Sequence, residues 1–262
     1  MTIAILYICT GRYNQFFPAF YKSSEDFFLK GIAEKEYFVF TDDMKLTNAA
    51  NVHLEYHECQ GFPADSLFRF KMFMSIQEQL KKFDYIYFFN SNAEFKAPVG
   101  EQILPHPAEL VAAAWPYKCW LKRLPMFFPY ERNKKSLAYI APYQHHYIYY
   151  MGGLNGGTAR QYLSMVAELD RNIRDDYEHG IIASVHDESH INRYLRSHPC
   201  KILLKEYCWP EEWKHDFKPK IIFRDKVKAD KYFDKGRKHN LPAQLDKGCK
   251  MIWSVLRWYL RF

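Results

Sequence analysis

The sequence of 262 residues contains no hydrophobic run long enough to cross a bilayer. Residues 1–9 are apolar, but this stretch is too short for a transmembrane helix and lacks a basic lead, so we expect a first β-strand rather than a secretion signal or a membrane anchor. The six cysteines include no Cys-x-x-Cys pair and no metal-ligand spacing, which predicts free thiols in a reducing compartment. Together these absences favour a cytoplasmic protein.

Signatures of nucleic-acid binding and of phosphate loops are also missing. The net charge of +7 is concentrated after residue 200, and such a patch could meet nucleic acid, anionic lipid or a diphosphate. No helix-turn-helix, zinc-finger or RNP signature accompanies it, so we expect no nucleic-acid partner. Glycine is scarce, and four of the 11 glycines form two pairs within residues 152–157, which open a predicted helix running to about residue 174. Their spacing is not that of a phosphate loop, so close backbone packing at the mouth of a site is favoured over a phosphate cradle.

The residues that are present indicate an α/β protein. A chain with 48% hydrophobic and 18% aromatic residues can bury a full core, and we expect a catalytic domain over residues 1–240 and a tail over residues 241–262. Short apolar runs alternate with helical segments, which predicts a mostly parallel sheet with helices on both faces and ligands at the carboxyl ends of its strands. The predicted strands cover residues 2–9, 36–41, 52–57, 84–89 and 110–114, and the first two predicted helices cover residues 16–29 and 66–82.

The motif Asn90-Ser91-Asn92 directly follows the predicted strand at residues 84–89, where nucleotide-sugar glycosyltransferases usually carry Asp-x-Asp. Two carboxylates at this spacing hold a divalent cation that neutralises the departing nucleotide diphosphate. Two asparagine amides can hydrogen-bond sugar hydroxyls but bring no charge for a hard cation, so lysine or arginine must meet the phosphate charge. The alternative interpretation is a polar turn that ends a buried strand.

The tail predicts an amphipathic helix with a basic stripe. Its polar residues recur at spacings of three and four on an otherwise apolar segment, namely Lys247, Lys250, Ser254, Arg257 and Arg261. This pattern is typical of a helix lying in a membrane interface, here an anionic membrane surface at the inner face of the cytoplasmic membrane. The alternative is a terminal helix docked on the protein's own surface or on a partner.

Several motifs together resemble glycosyltransferase family 6, the retaining α1,3-galactosyl- and α1,3-N-acetylgalactosaminyltransferases that include the ABO blood-group enzymes. The resemblance covers roughly residues 3 to 230, and its most specific part is His186-Asp-Glu-Ser-His-Ile-Asn192 together with residues 149–157. Bacterial members have Asn-x-Asn where manganese-dependent animal members have Asp-x-Asp, so the chain resembles the bacterial, metal-independent subgroup. The further anchors are Tyr7-Ile-Cys-Thr-Gly-Arg-Tyr13, Tyr37-Phe-Val-Phe-Thr-Asp42, Leu67-Phe-Arg-Phe70, Tyr130-Glu-Arg132 and Ala138-Tyr-Ile140.

The resemblance implies a GT-A fold, which is a single Rossmann-like domain that binds a nucleotide sugar, and hexosyltransferase activity without a divalent metal cofactor. It also implies a UDP-sugar donor. The donor contacts implied for uracil, ribose and sugar fall on Ile8, Cys9, Thr10, Tyr13, Arg69, Asn90 and Asn92. Lys226 matches a basic residue of a mobile tail that closes over the diphosphate, with Arg237 and Lys238 as companions. From the residues alone, Arg69 could instead lie on a helix surface, and Lys226 could be a solvated or lipid-facing charge.

The same resemblance implies that Met151-Gly152-Gly153 discriminates between donor sugars. Gly153 leaves room for an acetamido group at C2, whereas Met151 resembles the galactose-specific form, so the two signals conflict. A pocket that merely accommodates a group discriminates weakly. We therefore expect UDP-N-acetylgalactosamine with only a slight preference over UDP-galactose.

Glu188 matches the carboxylate beneath the anomeric carbon of the donor. It either attacks to give a glycosyl-enzyme or stabilises an oxocarbenium-like transition state. His186 and Asp187 precede it at matching positions and are implied to bind sugar hydroxyls, with Asp187 a ligand of the donor sugar and His186 on the acceptor side. Without the resemblance, His186 and His190 would be candidates for a metal site, because they share one helical face.

The acceptor side departs from the family pattern. Trp115-Pro-Tyr-Lys118 stands where the family has His-Pro-Gly-Phe, so the acceptor need not be fucosyl-α1,2-galactose. Trp115, Trp209 and Glu211 are expected to border the acceptor, although a buried core tryptophan is an equally good interpretation of either indole. The resulting expectation is a metal-independent retaining α1,3-glycosyltransferase that acts on a terminal galactoside of an oligosaccharide or glycolipid. A catalytically silent nucleotide-sugar- or glycan-binding protein is the alternative.

Overall fold

Ten strands form two sheets in the computed structural model, which describes residues 1–117, 124–143, 146–234 and 241–260. The main sheet has seven strands in the order β3-β2-β1-β4-β7-β6-β8, and the smaller sheet has the order β5-β10-β9. In chain order the strands are β1 (Thr2–Ile8), β2 (Glu34–Thr41), β3 (Val52–Tyr56), β4 (Tyr85–Phe89), β5 (Ala93–Phe95), β6 (Leu110–Ala114), β7 (Tyr150–Thr158), β8 (Lys201–Leu203), β9 (Trp209–Pro210) and β10 (Ile221–Phe223).

Most neighbouring strands of the main sheet run parallel. Strands β3, β2, β1 and β4 form one parallel set, and β6 and β8 are also parallel. Strand β7 lies between β4 and β6 and runs antiparallel to both. The predicted α/β architecture with a mostly parallel sheet, as in a GT-A fold, is therefore confirmed.

Burial of β1 on both faces explains why this strand lies near the middle of the sheet. Ala4 and Leu6 point into the apolar cluster on one face, and Ile3, Ile5 and Tyr7 point into the cluster on the other. A strand buried on both faces must be apolar at nearly every position, which is the usual pattern of parallel strands covered by helices.

Helices cover both faces of the main sheet. They are α1 (Phe17–Phe27), α2 (Ala64–Leu67), α3 (Arg69–Ser75), α4 (Gln77–Leu80), α5 (Ala159–Glu178), α6 (His186–Tyr194), α7 (Lys226–Ala229) and α8 (Leu241–Leu260). Residues of α3 and α5 pack into one apolar cluster and residues of α1 into the other. The single helix predicted over residues 66–82 is instead the three helices α2 to α4. The chain leaves helical dihedral angles at Phe68 (φ −98°, ψ 17°) and at Ile76 (φ −115°, ψ 16°).

The paired glycines lie inside strand β7, which leads directly into α5. The helix predicted after them is therefore present, but it begins at Ala159 and not at the glycines. A Cβ atom at Gly156 would lie 2.6 Å from Cδ1 of Tyr87, and one at Gly157 would lie 2.6 Å from the carbonyl oxygen of Glu109. Glycine within a strand marks such a close approach of backbone to its neighbours. Close packing, rather than a phosphate cradle, accounts for these two glycines.

Helix α8 packs against the body of the protein through one face. Trp258 is buried and donates its indole N–H to the carbonyl oxygen of Ile140 at 2.7 Å. The Arg132 guanidinium lies 5.1 Å from the centroid of the Trp258 ring and donates a hydrogen bond to Ser254 Oγ at 3.0 Å. The alternative interpretation, a terminal helix docked on the protein's own surface, is therefore correct for this face of α8. Ser254, a member of the predicted polar stripe, faces the protein.

The opposite face of α8 is exposed and apolar. It consists of Ile252, Trp253, Leu256 and Leu260, all between 44% and 58% exposed. Arg261, the side chain of Lys247 and the domain boundary predicted at residue 240 lie outside the described residues. None of the described helices is both long and apolar enough to cross a membrane.

Candidate active site

A central cleft of about 490 Å³ opens at the carboxyl ends of β1 and β4, where a parallel sheet is expected to bind its ligand. Two smaller clefts adjoin it. The inner cleft, of about 250 Å³, shares with it Tyr13, Phe62, Asn90 and Lys226. The aromatic cleft, of about 390 Å³, shares with it Trp115, Glu188 and Trp213. Asn90 therefore lies where the central and inner clefts meet, and Glu188 lies where the central and aromatic clefts meet.

Asn90 and Asn92 line the central cleft, and their side chains are hydrogen-bonded to each other. Asn90 Nδ2 donates to Asn92 Oδ1 at 3.0 Å, and the Ser91 N–H donates to Asn90 Oδ1 at 3.1 Å. Asn92 Nδ2 donates to the carbonyl oxygen of Arg224 at 2.7 Å. Both amide oxygens already accept a hydrogen bond and neither side chain is charged, so this donor set does not fit a hard divalent cation. Within the described residues, no group of three or more His, Cys, Asp or Glu side chains could hold a metal ion.

Glu188 is held at both of its carboxyl oxygens. The Tyr149 hydroxyl donates to Oε1, and the Gly152 N–H donates to Oε2. Burial raises the pKa of Glu188 to about 7, and the two hydrogen bonds and Arg69 oppose this rise while the Asp187 charge adds to it. A carboxyl group with a pKa near neutrality, set in a cleft, is typical of a catalytic group.

Arg69 and Asp187 form a buried ion pair beside Glu188. The Arg69 and Asp187 side chains are 7% and 8% exposed, and Arg69 Nη2 contacts Asp187 Oδ2. Arg69 Nη1 also donates to the carbonyl oxygen of Gly152 at 2.9 Å, and its guanidinium lies 4.5 Å from the centroid of the Phe88 ring. Burial raises the pKa of Asp187, and the positive charge of Arg69 opposes that rise. Arg69 is therefore inside the site and not on a helix surface.

Asn192 fixes the helix that carries this acidic pair. Its Nδ2 donates to the carbonyl oxygen of Tyr150 at 2.8 Å, and its Oδ1 accepts from the Tyr150 N–H at 2.9 Å. The side chain thus pairs with β7 as a neighbouring strand would, which sets the distance between α6 and β7. Tyr149 and Gly152 lie on either side of Tyr150, to which Asn192 is hydrogen-bonded. Helix α6 and strand β7 therefore hold Glu188 and its two donors as one rigid unit.

His186 and His190 do not converge, so the structure does not support a metal site between them. The His186 ring stacks edge-on against Phe62, with ring centroids 5.0 Å apart. His190 is buried, its Nε2 lies 3.5 Å from Asp176 Oδ2, and burial lowers its pKa to about 4. His190 is therefore a core residue, whereas His186 lies at the start of α6 with φ +49°.

The residues predicted to hold the nucleotide are divided between the inner cleft and the core. Ile8, Thr10 and Tyr13 line the inner cleft together with Arg69 and Asn90. Thr10 Oγ1 donates to Asp65 Oδ2 at 2.8 Å, which fixes the turn after β1. The Cys9 side chain is fully buried, and burial raises the pKa of its thiol. A ligand in this cleft could therefore meet Cys9 only through its backbone.

Lys226 projects over the junction of the central and inner clefts. Its Nζ lies 4.8 Å from the centroid of the Tyr13 ring, and it lines both clefts. Arg224 lines the central cleft as well, 3.5 Å from Glu94 Oε2. The acidic residues Glu212 and Asp225 also line it. Arg237 and Lys238, expected as companions of Lys226, lie outside the described residues.

The aromatic cleft holds one of the four residues predicted on the acceptor side, which are His186, Trp115, Trp209 and Glu211. Trp115 lines it, and Lys118 of the same motif lies outside the described residues. Trp209 is buried and donates its indole N–H to the carbonyl oxygen of Trp213 at 3.0 Å. The core interpretation thus applies to Trp209, and the half-buried Trp213 lines the cleft together with Trp115 instead.

The Glu211 carboxylate accepts a hydrogen bond from the backbone of the segment after β10. It accepts from the Asp225 N–H at 2.9 Å, and Lys228 Nζ lies 3.8 Å from its other oxygen. Its neighbour Glu212 lines the central cleft instead. Sequence reasoning also missed Tyr149, although that residue begins the glycine-rich motif.

Met151 and Gly153 line the central cleft, and Gly152 lies between Arg69 and Glu188. A Cβ atom at Gly152 would lie 3.1 Å from Arg69 Nη2 and 3.1 Å from Glu188 Oε2. One at Gly153 would lie 2.8 Å from Cε1 of Phe223. Glycine at positions 152 and 153 is therefore required by the packing of the site itself.

Comparison with known proteins gives a consistent result. The family described as glycosyltransferase family 6 matches residues 1–231. The O-antigen biosynthesis glycosyltransferase WbnI of Escherichia coli is 33% identical over 235 residues, which cover 88% of this chain and 98% of that protein. The human globoside alpha-1,3-N-acetylgalactosaminyltransferase 1 is 29% identical over 223 residues, which cover 80% of this chain and 62% of that protein. The histo-blood group ABO system transferase 2 of Rattus norvegicus is 29% identical over 221 residues, 80% of this chain and 64% of that protein.

Proposed function

The chain belongs to glycosyltransferase family 6, and from this premise we propose that it is a retaining α1,3-glycosyltransferase working without a metal. As a family member it is a hexosyltransferase with a nucleotide-sugar donor and a glycan acceptor. The proposed donor is UDP-N-acetylgalactosamine or UDP-galactose, and the proposed acceptor is a terminal galactoside such as fucosyl-α1,2-galactose. The observation that carries the proposal is the position of Glu188 where the donor and acceptor clefts meet.

Glu188 supports retention of anomeric configuration because it is the carboxylate that both clefts share. Ionised, it supplies negative charge to the donor's anomeric carbon as the bond to the diphosphate breaks. That charge helps whether the oxygen bonds to the carbon or stabilises an oxocarbenium-like transition state. Asp187 and Arg69, buried together beside it, are suited to holding the donor sugar's hydroxyls.

The donor's diphosphate would be met by protein cations. Lys226 lines both the central and the inner cleft, and Arg224 lies nearby, so positive charge is available where the diphosphate would lie. Asn90 and Asn92 are already paired with each other and with backbone groups, and we assign them to sugar hydroxyls. Fixed cations aimed at developing charge can contribute about as much as an oxyanion hole.

We expect turnover to be unchanged by EDTA, because no step of the proposed reaction needs a divalent cation. Lys226→Met is expected to lower kcat by about a hundredfold. The measurement is trisaccharide formation by mass spectrometry, with each UDP-sugar in turn and fucosyl-α1,2-galactose as acceptor. Added Mn²⁺ should neither raise the activity of the wild type nor rescue the variant. Loss of activity in EDTA would overturn metal independence.

The same assay separates the remaining alternatives. UDP release without trisaccharide would keep the transferase but move the acceptor, which would point to Trp115 and Trp213 in the aromatic cleft. No turnover with either donor, despite binding of a UDP-sugar, would favour the catalytically silent binding protein. The name of the E. coli relative links it to O-antigen biosynthesis, and we propose a surface glycan as the product of this enzyme too.

We propose that the enzyme works as a peripheral protein at the inner face of the cytoplasmic membrane, held there by α8. The exposed face of α8 carries Trp253, whose ring lies 5.1 Å from the Arg257 guanidinium. Next to this face, a cleft of about 590 Å³ between α8 and residues 131–139 is lined by further cations, and Trp253 borders both. The cations that line it are Arg132, Lys134, Lys135, Lys250 and Arg257. An apolar helix face flanked by cations is complementary to an anionic bilayer.

Replacing Trp253 and Leu256 by serine is expected to abolish flotation of the protein with phosphatidylglycerol vesicles. Both side chains are exposed, at 58% and 44%, so the fold should not change. Leu204→Ser is the matched control, because Leu204 is 60% exposed on the body of the protein and should have no effect. Equal flotation of all three proteins, or equal binding to neutral phosphatidylcholine vesicles, would contradict the proposal.

A further inference from the structure

We infer that Tyr149 is a positioning residue whose hydroxyl keeps Glu188 in one orientation and in its carboxylate form. The inference rests on the proposed function, because it concerns the carboxylate to which that function assigns the reaction. No part of the sequence motif distinguishes Tyr149 from the tyrosine that follows it, and only the folded chain brings its hydroxyl to Glu188 Oε1.

The Tyr149 hydroxyl cannot move freely, since both its ring and its backbone are held. The ring is 3% exposed and packs between Phe128 and Tyr130, with ring centroids 5.9 Å and 5.6 Å away. The Tyr149 carbonyl oxygen accepts from the Trp115 N–H at 2.8 Å. A donor fixed in this way loses little conformational entropy when it binds the carboxylate, so the bond is available throughout the reaction.

The contact holds Glu188 between two donors, one within β7 and one at the residue just before this strand. Gly152 donates its N–H to Oε2 while Tyr149 donates to Oε1, so the carboxylate plane is fixed relative to β7. Tyr149 and Glu188 both line the aromatic cleft, where the acceptor is proposed to enter. Without the hydroxyl, Oε1 would depend on water from that cleft, and an incoming acceptor would displace it.

The groups around Glu188 shift its pKa in opposite directions. Burial and Asp187 favour the protonated acid, whereas Tyr149, the Gly152 N–H and Arg69 favour the carboxylate. Burial and the Glu188 charge raise the pKa of Tyr149 far above its ordinary value, so Tyr149 remains a donor at every working pH. Loss of this hydroxyl therefore removes one stabiliser of the charged form and leaves burial in place.

The decisive experiment compares Tyr149→Phe with Tyr130→Phe over a range of pH. Tyr130 belongs to the same aromatic cluster and is also buried, but its hydroxyl donates to the carbonyl oxygen of Ile148 and not to Glu188. Both substitutions remove one buried hydroxyl, so a general loss of packing would affect them alike. The quantity measured is kcat/KM for transfer between pH 5 and pH 9.

For Tyr149→Phe, we expect the acidic limb of the profile to move upward by about one to two pH units, because a hydrogen bond to a charged group is lost. Activity should fall most below pH 7 and recover in large part near pH 9. Tyr130→Phe should leave the midpoint of the limb unchanged. A uniform loss at all pH values in Tyr149→Phe, or the same shift in both variants, would overturn the inference.

A second readout keeps the inference separate from the identity of the acceptor. Hydrolysis of the UDP-sugar in the absence of acceptor should show the same displaced limb in Tyr149→Phe, since Glu188 acts on the donor. If hydrolysis keeps the wild-type limb, Tyr149 acts on the acceptor instead and the inference fails. Failure of the proposed function itself would be recognised differently, as a limb that persists unchanged in Glu188→Gln.

Discussion

Replacement of Glu188 by glutamine is expected to lower the rate of glycosyl transfer by at least about a thousandfold. Glutamine keeps the shape of the side chain and can still accept from the Gly152 N–H, but it cannot carry a negative charge to the anomeric carbon. The rate is measured as kcat for UDP release and for product formation with saturating donor. Residual activity within tenfold of wild type would show that another group supplies the charge.

The same substitution should make the protein more stable at pH 8. The pKa of Glu188 in the folded state is about 7, above its ordinary 4.5, so the folded state binds the proton more tightly than the unfolded state. Stability is therefore lost as the pH rises from about 4.5 to about 7, by about 3 kcal/mol in total at 1.4 kcal/mol per pKa unit. Glutamine carries no charge to bury, so this loss does not occur in the variant.

Thermal unfolding at two pH values tests this expectation. At pH 8 the glutamine variant should melt above the wild type, and at pH 5 the two should melt within a few degrees of each other. A variant that is destabilised equally at both pH values would show that burial does not penalise the Glu188 charge. The combination of lost activity with gained stability would mark Glu188 as a site where stability is given up for function.

The central sheet could be predicted from sequence because its strands are buried on both faces. Continuous apolar runs gave the predicted strand at residues 110–114, which coincides with β6, and placed the strand at residues 84–89 within one residue of β4. Strand β7 was missed for a physical reason. Its four glycines weaken any local preference for extended structure. The need for Gly156 and Gly157 arises from Tyr87 and Glu109, which approach them only in the folded chain.

The candidate site likewise combines residues from one short motif, which the sequence could predict, with residues from distant segments, which it could not. Asp187 and Glu188 lie in one short motif, and resemblance to a known family identified both. The partners that set their charges come from elsewhere, since Arg69 begins α3 and Tyr149 precedes β7. The burial of Trp209 and the position of Trp213 in the lining of the cleft depend on the turn between them, which no periodicity predicts.

The second large effect is expected at Arg69, the buried partner of Asp187. Arg69→Met removes the positive charge but keeps much of the side-chain volume, and it leaves the buried Asp187 carboxyl without its cation. Breaking a buried ion pair at one partner typically destabilises a protein by about 3–5 kcal/mol. The Gly152 carbonyl oxygen also loses the Nη1 donor. We expect the melting temperature to fall by about 10 °C and transfer to become undetectable.

The pH dependence of this effect follows from the Asp187 carboxyl. Burial raises its pKa and Arg69 opposes that rise, so removal of Arg69 should raise the pKa further. The folded variant then binds this proton more tightly than the unfolded chain does, and its stability should fall as the pH rises. Arg69→Met should accordingly be closest to wild-type stability in mild acid and furthest from it near pH 8.

A double variant separates the charge from the packing. Asp187→Asn removes the orphaned carboxylate, so Arg69→Met with Asp187→Asn should recover most of the lost stability at pH 8. Activity should not recover, because both side chains proposed to bind the donor sugar are lost. Arg174→Met is the matched control. Arg174 pairs with Asp170 at 3.0 Å on the surface of α5 with its side chain 52% exposed, and loss of such a pair costs less than about 1 kcal/mol. If the double variant is as unstable as Arg69→Met alone, the instability comes from the lost packing and hydrogen bond of Arg69, and the ion pair is not what holds α6 against α3.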